Sequence, residues 1–203
     1  MRPNPERLVA PTLLELQGPQ LELVLRGLLS SAALKQALAD RYGIKPDALK
    51  RLSQSPFVLS LSALNQGSFL AGLQLQLRLR DGQAFWAPRL KALEQPLIDQ
   101  GLSVTRGTGQ QSLWSRDGVA QGGWRWLSKD HLLLFLGPAP GSRKPARLEQ
   151  EAPWSLRLQP KQLQAKGLLP PLMPVVVRRA RELVLRGVPS RGGQTALSGE
   201  LTL

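Results

Sequence analysis

The sequence predicts an α+β fold: a mainly antiparallel, strongly twisted sheet covered on one face by two longer helices, with short accessory helices and a C-terminal hairpin. Three observations lead there. Leu73–Arg80 reads LQLQLRLR, an unbroken two-residue alternation. Leu102–Gly137 breaks into short apolar runs at turn signals such as Asp117-Gly118 and Lys129-Asp130. Gln20–Arg41 and Gln83–Gln100 instead repeat apolar residues every three or four positions. A period of two marks a half-buried strand, and a period near 3.6 marks an amphipathic helix.

In chain order, Pro3–Pro11 is an irregular lead-in, and Thr12–Gln17 (TLLELQ) is a short strand closed by Gly18-Pro19. Leu21, Val24, Leu25, Leu28, Ala32 and Leu38 then follow a helical stripe that ends at Tyr42-Gly43. Gly27 weakens that helix, and LELVLRG can alternatively be read as a strand pairing back onto LLELQ. A short helix is expected at Pro46–Ser53, where Pro46 occupies a first-turn position that needs no N–H donor. Phe57–Ala63 and Leu73–Arg80 are the clearest strands. In the second, the leucines should face the core while Gln74, Gln76, Arg78 and Arg80 face water.

The helix Gln83–Gln100 should bury Phe85, Leu90, Leu93, Leu97 and Ile98, tolerate Pro88 and bend at Pro96. Strands are expected at Leu102–Arg106, Gln111–Arg116, Gly122–Ser128, His131–Gly137 and Trp154–Leu158. Short helices at Lys161–Lys166 and Pro171–Ala180 and a hairpin of Glu182–Val188 with Gln194–Leu203 complete the chain. We read residues 1–203 as one domain with three regions: a main body over residues 1–137, a linker-like Pro- and charge-rich stretch over 138–152, and a docked C-terminal segment over 153–203. The C-terminal segment is too short to hold a core alone.

Composition narrows function by exclusion. Hydrophobic residues are 42% and charged residues 20% of the 203, so the chain can bury a sizeable core. Cysteine is absent, which removes disulfides, thiolate metal sites and cysteine nucleophiles. His131 is the single histidine. Asp130 beside it would point to the opposite face of a regular strand, where it could not orient the imidazole as a catalytic triad requires. The carboxylates are dispersed over turns (Asp81, Asp117, Asp130) and helix surfaces (Glu94, Asp99), so neither a carboxylate pair nor a metal cluster is evident. Gly107–Ser112 leads into a strand rather than a helix, and Gly137–Lys144 carries two prolines where a phosphate loop needs N–H donors. No cofactor and no enzymatic activity are expected.

The net charge is +13, with most of the cations arginine, and charge of that size favours an anionic partner: an acidic lipid surface, an acidic protein or nucleic acid. Two surfaces are candidates. Trp114, Trp124 and Trp126, with Arg116, Arg125 and Arg157, can be read as a stacking and phosphate-contacting sheet face for nucleic acid, or as tryptophans in the core with arginines on the wet side. Arg178, Arg179 and Arg186, beside the apolar run Leu172–Val177, can be read as an amphipathic segment lying on acidic lipid, or as a helix covering the sheet. No run reaches the roughly 18 apolar residues of a membrane helix, and no secretory leader is visible. The expected location is the cytoplasm, peripheral to a membrane in the lipid reading.

The succession TLLELQG (from Thr12), FVLSLSAL (from Phe57), LQLQLRLRDGQAFWAPRLKALEQPLIDQG (from Leu73), HLLLFLG (from His131) and WSLRLQPKQLQAKGLLP (from Trp154) resembles a family of cyanobacterial proteins of unknown function. Its members are typically longer and tethered to the envelope or thylakoid by an N-terminal apolar segment, and no such segment stands in this sequence. The resemblance implies this fold and a non-catalytic protein, and it supplies no site residue. The leading expectation is a non-enzymatic binding or scaffold protein at an anionic membrane surface or on an acidic protein; the alternative is a nucleic-acid-binding module.

Overall fold

The computed structural model describes residues 11–28, 36, 39–40, 44–64, 69–107, 110–141, 146, 148, 153–169, 173–189 and 195–203. Ten strands form one sheet: β1 Thr12–Gly18, β2 Phe57–Ala63, β3 Ala71–Arg78, β4 Ser103–Arg106, β5 Gln111–Arg116, β6 Val119–Trp126, β7 His131–Leu136, β8 Ser155–Leu158, β9 Glu182–Pro189 and β10 Thr195–Thr202. Their order is β10-β9-β8-β1-β2-β3-β7-β6-β5-β4, and each neighbouring pair is antiparallel. Among the described residues, helices span α1 Glu22–Leu28, α2 Pro46–Ser53, α3 Gly82–Ala92, α4 Glu94–Asp99, α5 Pro160–Ala165 and α6 Val175–Arg179, besides single helical positions at 36, 39 and 40.

Register explains how one face becomes apolar. A single row crosses the sheet as Gly199, Leu185, Leu156, Leu16, Leu59, Leu75, Leu134, Trp124 and Ser112. Because side chains alternate faces along each strand, this row and those two residues away share one side. The main core gathers on it: Phe57, Leu77, Trp124, Trp126 and Leu132 pack with Leu21, Ala48, Trp86 and Leu90 and with the partly buried Val24, Leu25, Leu52 and Phe85. A second cluster, Leu13, Ala63, Leu158 and Leu163, joins β1, β2, β8 and α5.

Several expectations change. Leu21–Gly27 is not a strand: α1 is helical over Glu22–Leu28, and Gln36, Ala39 and Asp40 are helical as well, while the rest of Gln20–Arg41 lies outside the described residues. The helix expected over Gln83–Gln100 divides at Leu93, ahead of Pro96. Pro96 has no N–H for the carbonyl four residues back, that of Ala92, so the ladder is interrupted there. Ile98 is exposed at 44%, and Glu94, expected on the surface, is buried at 1%. The buried stripe therefore runs Trp86, Leu90, Glu94, with Leu93 and Leu97 flanking it.

Of the polar residues expected in water along β3, Arg78 and Arg80 are exposed and Gln74 is half-buried, but Gln76 is buried. Gln76 is 7% exposed, and its Oε1 accepts the Ala146 N–H at 2.8 Å. Arg78 Nη1 donates to the Leu148 carbonyl, and Arg125 Nη2 donates to that of Gly141. The stretch after β7, read from its prolines and charges as linker-like, thus returns along this face at three described points, where its backbone bonds the buried Gln76, the half-buried Arg125 and the exposed Arg78. Within β6, Gly123 makes the pairing possible. A Cβ there would stand 2.2 Å from the Ser112 carbonyl oxygen, closer than any side chain allows. The β8–β1 ladder brings residues 155–158 into the same sheet as the N-terminal strands.

Candidate functional site: a basic corner beside α6

The His131 neighbourhood was expected to be unable to orient the imidazole, and the structure corrects this. Asp130 lies in the β6–β7 turn rather than in the strand, so its side chain does not alternate away. Asp130 Oδ1 stands 2.9 Å from His131 Nδ1, and Ser128 Oγ stands 3.0 Å from the same nitrogen. Ser128 Oγ also donates to Asp130 Oδ1 and accepts the His131 N–H. Arg78 Nε donates to the other carboxylate oxygen, Oδ2, at 3.1 Å. Burial opposes ionisation of Asp130, but the hydrogen bonds from Ser128, His131 and Arg78, with the imidazole's charge, prevail and bring its pKa down to about 2. A triad needs serine and aspartate on opposite ring nitrogens. Here both address Nδ1, so the cluster pins the turn and relays no proton to a nucleophile.

Trp124 and Trp126 do not share an open surface with Arg125. Trp124 and Trp126 are each 8% exposed within the main core, and Trp114 packs against it. Arg125 points to the other face, where burial lowers its pKa from the ordinary arginine value. Arg116 is exposed, and its Nη2 donates to the Gln100 carbonyl. Stacking needs open indole faces, and Trp124 and Trp126 offer none.

The C-terminal strands and helices do bring cations together. Arg157 on β8, Lys161 on α5 and Arg181 before β9 line an open groove of about 490 Å³ with Gln159, Gln162, Glu182 and Thr202. Two backbone bonds join its walls, and a third belongs to the adjoining α6. Lys161 N donates to the Ala180 carbonyl, Arg181 N to that of Thr202, and Arg178 N to that of Pro174. Among the described lining residues Glu182 is the one carboxylate, and it accepts from Arg157 Nε. That hydrogen bond, and then the same carboxylate's charge, raises the arginine's pKa further.

The helix α6 ends at the buried Ala180, whose carbonyl accepts the N–H of the groove residue Lys161. Its N-terminal half presents Val175 and Val176 to solvent at 52% and 53% exposure, and its last turn carries Arg178 and Arg179. Arg179 is exposed and Arg178 half-buried. Of the residues singled out from the sequence, Arg157, Arg178 and Arg179 thus fall in one neighbourhood, while Arg116 and Arg125 lie apart from it on β5 and β6. Arg181 belongs with Arg178 and Arg179 to one dense basic group of the sequence, whereas nothing local in the sequence marks Lys161. Only the β1–β8 and β8–β9 ladders carry them to this corner.

Among the described residues no three His, Asp or Glu side chains gather to hold a metal ion, and no helix is long and apolar enough to cross a membrane. Comparison with family models, with curated protein sequences and with solved structures found no match.

Proposed function

We propose that the protein is a non-enzymatic binding protein that docks on an anionic lipid surface through α6 and the groove beside it. The observation that carries this reading is the pairing of exposed Val175 and Val176 with Arg178, Arg179, Arg181 and Lys161 in one small region. Exposed apolar side chains next to cations suit an interface between acyl chains and acidic headgroups: valines enter the boundary layer while arginines meet the phosphates. A surface made only of cations would serve any polyanion equally well. The charge of +13 adds a long-range attraction that salt screens. The non-catalytic side of the reading is supported by the shared nitrogen of the Ser128–Asp130–His131 cluster and by the dispersal of the carboxylates.

Co-sedimentation with vesicles tests it. The full chain should pellet with phosphatidylserine-containing vesicles at low salt, stay in the supernatant with neutral phosphatidylcholine vesicles, and be released as salt approaches about 0.5 M, where the Debye length falls to a few ångströms. Arg178→Glu with Arg179→Glu should weaken binding at least tenfold, since each basic residue near such a surface contributes about 1 kcal/mol and each is here reversed. Equal pelleting with both vesicle types, or none with either, contradicts the proposal. Capture of an acidic protein without lipid binding assigns the corner to a protein partner instead.

A further inference from the structure

We propose that β10 is a self-complementary edge that pairs antiparallel with β10 of a second copy of this chain, with the two-fold axis at Gly199. This goes beyond the lipid reading and does not rest on it. Among the described strands β10 has one neighbour, β9, to which it pairs over eight residues with no break in register. Residues Ala196–Leu203 are all exposed, with Leu197 at 71%, Leu201 at 38% and Leu203 at 69%. Free edges of this length are usually blunted by proline, lysine, a bulge or shortness, because their unpaired N–H and C=O groups recruit other strands. The opposite edge, β4, follows that rule: it is four residues long, and its Arg106 is turned into an ion pair with Glu94. Ala196–Thr202 carries none of these devices and a single charge, Glu200.

The residues around Gly199 show what fits the edge. In Leu197-Ser198-Gly199-Glu200-Leu201, a two-fold axis at Gly199 sets Leu197 of each copy opposite Leu201 of the other. Both leucine pairs form on the side that carries Leu183 and Leu185, which extends the apolar rows of the sheet. On the reverse side each Glu200 faces Ser198 of the second copy, whose own neighbour on β9 is Arg186. The carboxylate therefore lies in the same row as an arginine of the other copy, with only a serine between them, and a long arginine side chain spans that gap. Moving the axis to Glu200 would oppose two carboxylates and replace the Leu197–Leu201 pairs by Leu201 facing Gly199 and Leu197 facing the terminal Leu203, beyond the end of β10. Charge and apolar complementarity thus select one register and one occupant, a second copy.

A single-strand interface falls below the roughly 1,200 Å² of stable complexes, so the dimer should form at tens of micromolar or above. Sedimentation equilibrium of the full chain near 100 μM should then report twice the 22.3 kDa of one copy. Either Leu197→Lys or Leu201→Lys should return it to a single copy with an unchanged melting temperature, because both side chains are already exposed. The double variant Leu197→Glu with Leu201→Lys should dimerise again, since every introduced acid then faces an introduced base. A single-copy mass for the unaltered chain overturns the proposal. So does a dimer that survives Leu201→Lys, and so does a double variant that stays single.

Discussion

Asp130 shows how much a single residue's setting decides. Its carboxylate receives Ser128, His131 and Arg78, and its pKa falls to about 2 from an unfolded value near 3.9. A carboxylate whose pKa is depressed by folding contributes stability that is complete above the unfolded value. That contribution is lost as the pH drops through the window from about 4 to about 2. Melting curves should therefore show the native chain more stable than Asp130→Asn at pH 6, with the difference shrinking steadily below pH 4. A gap that stays constant down to pH 2 would mean that the turn does not hold the ionised form.

Glu94 and Arg106 make the other residue-level test. Arg106 Nε and Nη2 reach the same oxygen, Oε2, at 2.8 and 2.6 Å, while Glu94 is 1% and the arginine side chain 58% exposed. The two partners are thus unequal. Arg106→Ala strands a buried carboxylate and should cost toward the lower end of the about 3–5 kcal/mol for breaking a buried pair, because the arginine is half in solvent. Glu94→Gln leaves an arginine that water can solvate, so it should cost less. Denaturant unfolding of the two variants reads the order directly.

At the scale of elements, sequence patterns and structure agree where one physical rule decides the outcome. α2 and β2 have the expected bounds, Pro46–Ser53 and Phe57–Ala63, and β5 spans the expected Gln111–Arg116. Between β5 and β6, Asp117 (φ 51°) and Gly118 (φ 75°) form the two-residue left-handed turn that an Asp-Gly pair favours. Patterns misled where a second contact intervened. LQLQLRLR alternates as a half-wet strand, yet the return of Ala146 and Leu148 buries Gln76, and no local period encodes that contact. Glu94 fits a solvent-facing helix position until Arg106, twelve residues on, comes to meet it. Gly123 sits inside β6 because the Ser112 carbonyl lies where a side chain would be, a constraint that the strand's own pattern does not carry. Gly123→Ala should therefore separate β5 from β6, with loss of protection in amide exchange across both strands while β1 and β2 stay protected.

For the whole molecule, the ten-stranded sheet brings together regions of the chain far apart in sequence. The order β9-β8-β1 places residues 155–189 beside the first strand, and that placement creates the basic corner. Arg178 and Arg179 were legible as a candidate because they adjoin an apolar run. Arg181 was legible with them as part of the same dense basic group, but the groove residues Lys161 and Arg157 were not placed beside it, because their proximity depends on ladders between strands that are distant in sequence. Trp124 and Trp126 were open to two readings, since alternation puts them on one face without saying which face is covered. Packing with Leu90, Trp86 and Leu132 puts them in the core. The proposed anionic contact therefore belongs at α6, away from the tryptophan strands.

The most direct test exploits the absence of cysteine, which makes one introduced thiol a unique label position. Val176→Cys carrying a polarity-sensitive fluorophore should shift to the blue and brighten on adding phosphatidylserine vesicles and stay unchanged with phosphatidylcholine. The same label at Asp117→Cys, in the distant β5–β6 turn, should respond to neither. A response at the β5–β6 turn with none at α6, or binding that leaves the α6 label unmoved, would contradict docking through α6.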